Sequence, residues 1–375
     1  MTDTEKLLRE LIALPSVNPA FLPADSPMAG ERSVAEFLAA TAARAGLAVD
    51  LQDVTNGRPN ILAVYSPAGR PTHRILLAPH TDTIGGLPEQ FFPKTRAGRL
   101  YGRGACDTKG SVAAMLSALI RLTEARQRPV RTEIIFAGLI DEENAQAGSR
   151  ALARGKMKAD LAIVGEPTAL QVITAHKGSL WIDFQTRGKA AHGAQPELGK
   201  NAVHAMSRII DLLETTYARQ LRRRRHPLLN TGTISVGVVQ GGSQPNVVPN
   251  HCHSLADRRT LPGETEASVL EEIRALLQKH DLQATVSSVK QAPCLPLETD
   301  TRLPLVRQFL SAAGQKRPSG ANYFCDASVL SQAGIPSVVF GPGDIAQAHT
   351  VDEWISLKSL ESASELLLKF FQTLP

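Results

Sequence analysis

The sequence predicts an α/β fold interrupted by an inserted α+β domain, and three observations predict it. Short β-branched runs alternate with helical stretches in the first half, the pattern of a mostly parallel sheet with helices on both faces. From about Gly178 this alternation gives way to strands and helices in an order suited to a small antiparallel sheet. After about residue 292 the first pattern returns. The expected division is 1–178 and 292–375 for the two parts of the α/β domain, with 179–291 as the insert. At 375 residues the chain exceeds the roughly 250–300 at which one core stops growing, so two domains are expected.

Residues 5–14 and 31–45 read as helices. Residues 74–78 (RILLA), 133–140 (EIIFAGLI) and 161–164 (LAIV) are short apolar runs of strand length and read as buried strands. Between the first two, 108–125 (TKGSVAAMLSALIRLTEA) is apolar at helical spacing and rich in helix formers. In the insert, 180–187 alternates like a half-exposed strand and 202–215 is helical. Residues 231–239 and 252–257 read as strands, 265–277 as a helix and 284–289 as another strand. A strand at 337–340 (SVVF) and a closing helix at 358–371 complete the first domain.

Hydrophobic residues make up 43% and charged residues 21%, ordinary globular values that exclude disordered, fibrous and membrane classes. The N-terminus carries Asp3, Glu5 and Lys6 and no leader-like apolar core, and no apolar run approaches about 18 residues, so neither secretion nor membrane insertion is expected. Cys106, Cys252, Cys294 and Cys325 have no C-x-x-C spacing, which argues against a disulfide framework or a cysteine zinc site and for a reducing cytoplasm. The net charge of +5 is concentrated in the run 222–225 (RRRR), which no aromatic residues interleave. A solvated loop is the expected reading, and no nucleic-acid partner is implied.

Ligands of open α/β sheets bind beyond the carboxyl ends of the strands, so the residues after each apolar run carry the chemistry. RILLA leads to Pro79-His80-Thr81-Asp82, EIIFAGLI to Asp141-Glu142-Glu143, and LAIV to Gly165-Glu166. Asp107 falls just before the long helix, and His349 follows the turn Gly341-Pro342-Gly343. Any one of these alone is an ordinary helix cap or a satisfied polar residue. Together they form a mixed nitrogen and oxygen set suited to zinc. Gly102-x-Gly104 has Asp107 where a dinucleotide loop has its third glycine, Lys109-Gly110-Ser111 lacks the spacing of a phosphate loop, and no serine sits in a G-x-S-x-G elbow.

The segments around His80-Thr-Asp82, 102–110 (GRGACDTKG), Asp141-Glu-Glu143, 165–168 (GEPT) and His349 resemble those of the acetylornithine deacetylase and succinyl-diaminopimelate desuccinylase family of zinc aminoacylases and carboxypeptidases. In the insert, 188–192 (GKAAH), 245–249 (PNVVP) and 257–263 (DRRTLPG) resemble that family's lid domain. The resemblance implies a zinc-exopeptidase-like catalytic domain with two Zn2+ ions per chain, for which Co2+ or Mn2+ substitutes. Asp107 would bridge the ions, His80 and Glu166 would hold one, and Glu143 and His349 the other. Glu142 would be the general base and Asp82 the partner that orients His80. The implied ligands carry three negative charges against four on two zinc ions, a balance that one hydroxide completes.

The implied reaction is hydrolysis of the amide bond of an N-acyl amino acid, with dipeptidase and carboxypeptidase activities as the alternatives that share every metal residue. A non-catalytic binding protein would be expected to lack a ligand or Glu142, and none is missing. The resemblance also implies a homodimer formed through the lid, with His192 stabilising the oxyanion of a neighbouring subunit's substrate. Arg259 is the candidate for the substrate carboxylate, with Arg258 as its competitor. Asn246 would offer an amide donor, unless its loop is an ordinary turn. Two departures from the family stand out: Gly193-Ala194 replaces a pair of serines after His192, and Cys325 stands where Thr or Gly is usual, which leaves the acyl group open.

Overall fold

Strands that are apolar on both faces need cover on both sides, which places them inside a sheet packed with helices. The computed structural model describes residues 1–23, 26–55, 57–289 and 293–375. It divides into two compact units, the first made of Met1–Thr174, Thr299–Ser319 and Cys325–Pro375, the second of Ala175–Glu298 with Gly320–Phe324. The expected limit between residues 291 and 292 lies outside the described residues.

The sheet of the first unit contains β1 (Ala48–Thr55), β2 (Arg58–Tyr65), β3 (His73–Pro79), β4 (Thr132–Gly138), β5 (Leu161–Gly165) and the later strand Ser337–Val339, in the order β1-β2-β4-β3-β5 followed by 337–339. The last four are parallel: Leu77 lies opposite Phe136 on one side and Ile163 on the other, and Val338 opposite Ile163. β1 and β2 run antiparallel at one edge, and on the other side Val339 pairs antiparallel with Ile173, so the sheet is mixed around a parallel centre. This hairpin is missing from the sequence reading, because β1 (AVDLQDVT) is exposed along most of its length and presents no apolar run.

β4 stops at Gly138, two residues before the expected end, because the N–H of Ile140 turns to the Asn60 side chain at 3.1 Å and leaves the ladder. Helix α1 (Asp3–Ile12) is capped by Thr2, which accepts the N–H of Glu5 at 3.2 Å. Helix α2 (Arg32–Arg44) packs on β1 and β2. Helix α3 (Lys109–Glu124) is buried along nearly all its length, since it packs on the sheet, on α1 and on the C-terminal helix Leu357–Gln372. Phe309 meets Phe340 and Phe370 edge-on, with ring centroids 5.1 and 4.9 Å apart, in the same core.

The second unit is built on a four-stranded antiparallel sheet of β6 (Gly178–Arg187), β7 (Thr233–Gly241), β8 (His251–Thr260) and β9 (Thr285–Ser288), in the order β7-β8-β6-β9. Helices α4 (Ala202–Leu212) and α5 (Glu266–Lys279) contribute Met206, Ile209, Ile273 and Leu276 to a core with Ile182, Phe184 and Ala256. α4 ends three residues short of expectation and continues through a wide turn into a helix at Ala218–Arg223. The basic run 222–225 is exposed, as expected, but Arg222 and Arg223 finish that helix and Arg225 begins a short strand, so it is not a plain loop. Arg224 is held by Glu272 at 3.0 Å. Among the described residues no helix is long and apolar enough to cross a membrane.

Candidate metal centre

Parallel strands end at a common edge, so the residues that follow them are brought together. β3 is followed at once by His80, β5 by Glu166, and β4 leads through Leu139 and Ile140 to Glu142 and Glu143. Leu139 still bridges to His80, which keeps the two chain exits side by side. Asp107 comes from the loop before α3. His349 follows a single helical turn, Ile345–Gln347, and takes a left-handed conformation with φ 63°.

The two oxygens of Asp107 face different histidines. Oδ1 lies 3.2 Å from His80 Nε2, and Oδ2 lies 3.3 Å from His349 Nε2. His349 Nε2 is also 3.1 Å from Glu143 Oε2, and His80 Nε2 is 3.9 Å from Glu166 Oε1. His80, Asp107 and Glu143 present donor atoms within 4.8 Å of one another, and so do His80, Glu142 and Glu166. Glu142, expected as a base, thus lies among the potential ligands, close enough to serve either role.

Behind the cluster, Asp82 contacts the His80 ring, the 142–143 turn and Asn18 at once. His80 Nδ1 is 3.0 Å from the main-chain oxygen of Asp82 and 3.3 Å from its Oδ1, so the orienting contact expected of the carboxylate is shared with its own backbone. The same carboxylate accepts the main-chain N–H of Glu142 and of Glu143, each at 3.1 Å, and the side-chain amide of Asn18 at 2.8 Å. Asn18 also donates to Asp141 at 2.9 Å, and Arg58 reaches Asp141 at 3.2 Å and Glu31 at 2.7 Å. Asp141 has a φ of 66°, and these contacts hold it there. The sequence places Asp141 beside the candidate pair Glu142-Glu143 without giving it a role, and Asn18, Glu31 and Arg58 sit in no motif and have partners far off along the chain.

The electrostatics describe a site that wants a cation. Burial, then repulsion from Glu166, pushes Glu142 well above the usual carboxylate range, and burial does the same to Glu166. Burial and the Asp107 charge raise Glu143. Burial works against charge on Asp107 as well, but contacts with His349 and His80 outweigh it and hold that carboxyl well below its ordinary value. Asp107 and Glu143 lift His349 to about 10. Asp326, buried nearby with one oxygen 2.6 Å from Ser149 Oγ, is raised to about 6 by burial. Four crowded carboxylates and two imidazoles, all with donor atoms converging, fit divalent metal ions of the zinc type.

The remaining candidates belong to the second unit. His192 is exposed, bridges to Val247, and accepts the N–H of Ala194 on Nδ1 at 3.1 Å, which leaves the proton of the neutral ring on Nε2. The N–H of Gly193 donates to the main-chain oxygen of Asn246 at 2.7 Å. A Cβ at Gly193 would lie 2.9 Å from that oxygen, so the departure from serine goes with a close approach of the Asn246 loop. Arg258 is fully buried, donating to Glu264 at 2.7 Å and to Tyr217 at 3.3 Å, whereas Arg259 is half-exposed and holds Asp257 at 2.8 Å. Of the two, only Arg259 is open to a ligand. Cys325 is a buried thiol.

A model of the peptidase family M20/M25/M40 matches residues 76–373. The acetylornithine deacetylase of Proteus mirabilis is 32% identical over 381 residues, covering 96% of this chain and 94% of that one. That of Edwardsiella ictaluri is 31% identical, covering 96% and 95%. Among solved structures, aminopeptidase PepT from Bacillus cereus matches with a TM-score of 0.78 at 23% identity, covering 99% of this chain and 97% of that one. An M20 family metallo-carboxypeptidase from Sulfolobus solfataricus matches with 0.77 at 20% identity, covering 99% of each.

Proposed function

Because the chain belongs to the M20/M25/M40 peptidase family and is thus a metal-dependent amide hydrolase, we propose that it deacylates N-acyl amino acids. The observation that carries the metal reading is the pair of Asp107 oxygens turned to two different histidines. The acyl amino acid reading draws on the acetylornithine deacetylases that resemble the chain over 96% of its length and on the half-exposed Arg259.

His80 and Glu166 would hold one ion, Glu143 and His349 the other, with Asp107 shared between them. Zn2+ is the proposed metal, with Co2+ or Mn2+ as substitutes. When bound, such ions polarise a carbonyl and lower the pKa of water. Glu142 takes a proton from the attacking water and delivers it to the leaving amine nitrogen. Asp82 keeps Glu142 and His80 in place. Arg259 pairs with the substrate carboxylate through two parallel N–H donors, and Asn246 adds an amide donor.

We place His192 of the partner subunit at the developing oxyanion, with the second unit as lid and dimerisation domain. The edge strand β7, with Val238 37% and Val239 50% exposed, supports such pairing. A cytoplasmic location belongs to the same reading, supported by composition and by the buried thiols of Cys106, Cys252 and Cys325. A hydrolysis screen of N-acetyl and N-succinyl amino acids and dipeptides, with zinc or cobalt supplied, tests it. Cleavage of acyl amino acids in preference to dipeptides is expected, and cleavage of dipeptides alone would overturn the deacylase assignment.

A further inference from the structure

Glu353 stands four residues after His349 and is 2% exposed. Its Oε1 accepts the main-chain N–H of Cys106 at 2.8 Å and of Asp107 at 3.0 Å. Its Oε2 accepts the N–H of Gly104 at 3.0 Å and Nη1 of Arg103 at 2.7 Å. The main-chain oxygen of Glu353 takes the N–H of Gly102 at 3.0 Å, so the loop from 102 to 107 wraps around this one residue. A carboxylate that accepts four donors in a dry site is fixed in place, and Arg103 offsets its charge.

The loop is shaped for this purpose. Gly104 has a φ of 80°, and a Cβ there would lie 2.9 Å from side-chain atoms of Lys109 and Thr83. Without a side chain, its N–H turns inward to Glu353. Asp107 is then held at one end by Glu353 through its N–H, while its two oxygens face His80 and His349 at the other. Glu353 and His349 share a short segment, so the same contact sets the spacing between two of the proposed ligands.

We propose that Glu353 is a positioning residue for the metal centre, holding Asp107 at the orientation in which its carboxylate serves both ions. This rests on the reading of Asp107 as a metal ligand. Glu353→Gln keeps the shape but turns an NH2 group toward one of the two donor pairs, so that donors face donors and the loop shifts.

The test is Co2+ titration of the full chain, before and after substitution, read by calorimetry, by the visible absorption of bound Co2+ and by the metal-induced rise in Tm. Glu353→Gln is expected to weaken binding at one or both sites about ten- to hundredfold, to alter the absorption bands and to shrink the rise in Tm. Unchanged affinity, bands and rise, even with a lower metal-free Tm, would reduce Glu353 to a structural role and overturn the proposal. Where Glu353→Gln does not fold, Glu353→Asp carries the same test, since it keeps the charge but withdraws the carboxylate by one methylene. Wild-type protein that binds no Co2+ would overturn the metal reading itself, whereas wild-type binding that both variants retain would overturn only the positioning role.

Discussion

Oδ2 of Asp82 accepts the main-chain N–H of Glu143 at 3.1 Å. Through this bond and its twin to Glu142, the residue two places after His80 holds the turn that carries a proposed base and a proposed ligand. Asp82→Asn puts an amide donor where acceptors are needed. Metal affinity should fall about ten- to hundredfold, and turnover at saturating metal should fall too, because Glu142 moves with the turn. Titration of the metal followed by kinetics in excess metal separates the two effects, and loss of neither would remove Asp82 from the site.

Glu142→Gln retains size and hydrogen-bonding reach but cannot take up a proton. Turnover should drop by about a hundredfold or more while metal content holds. Because Glu142 also groups with His80 and Glu166 within 4.8 Å, a fall in metal content would make it a ligand and require another base.

Arg259→Ala should reduce kcat/KM for acyl amino acids about ten- to hundredfold relative to their amides, the worth of a charge-assisted contact. Thermal stability should hardly change. Arg258→Ala should do the opposite. It removes a fully buried guanidinium from Glu264 and Tyr217, and because Glu264 keeps the Leu261 N–H and Arg224 the expected cost is about 1–3 kcal/mol of stability, visible as a lower Tm. Equal losses on acids and amides with Arg259→Ala would reject its role in binding the carboxylate.

For His192, complementation tests action across the dimer. Glu142→Gln and His192→Ala chains, each inactive, should regain about a quarter of wild-type activity when mixed equally and exchanged, since half of the dimers are mixed and each holds one intact site. Demonstrated exchange with no recovery would confine His192 to its own chain.

His176 is fully buried and its pKa is pushed down to about 4 by burial, although Nδ1 donates to the Lys177 carbonyl at 2.9 Å. An unfolded chain binds a proton near pH 6.5, so stability is complete above that value and falls as the pH drops toward about 4. The slope is about 1.4 kcal/mol per pH unit for one proton. Urea unfolding of Trp354→Phe protein, followed through Trp181, should show this loss between pH 7.5 and 5, and His176→Phe should diminish it by about 2 kcal/mol. An unchanged pH dependence in the variant would assign the loss to other groups.

His80, Glu142, Glu143 and Glu166 were legible in the sequence because apolar runs reveal parallel strands, and parallel strands end at one edge. That argument needs only local periodicity, and it names the residues before any contact is known. The same periodicity overran the end of β4, where Asn60 captures the N–H of Ile140, and it passed over the exposed β1.

Which atoms meet was decided by the tertiary structure. Asn18 finds Asp82 64 positions away, and Asp107 finds Glu353 across 246. Arg258 and Arg259 are adjacent and alike in sequence, yet strand alternation buries one against Glu264 and leaves the other half-exposed. The physical reason is range: a strand or helix is set by neighbours a few residues apart, whereas a hydrogen bond or ion pair needs two groups within about 3 Å, a distance that only the complete path of the chain determines.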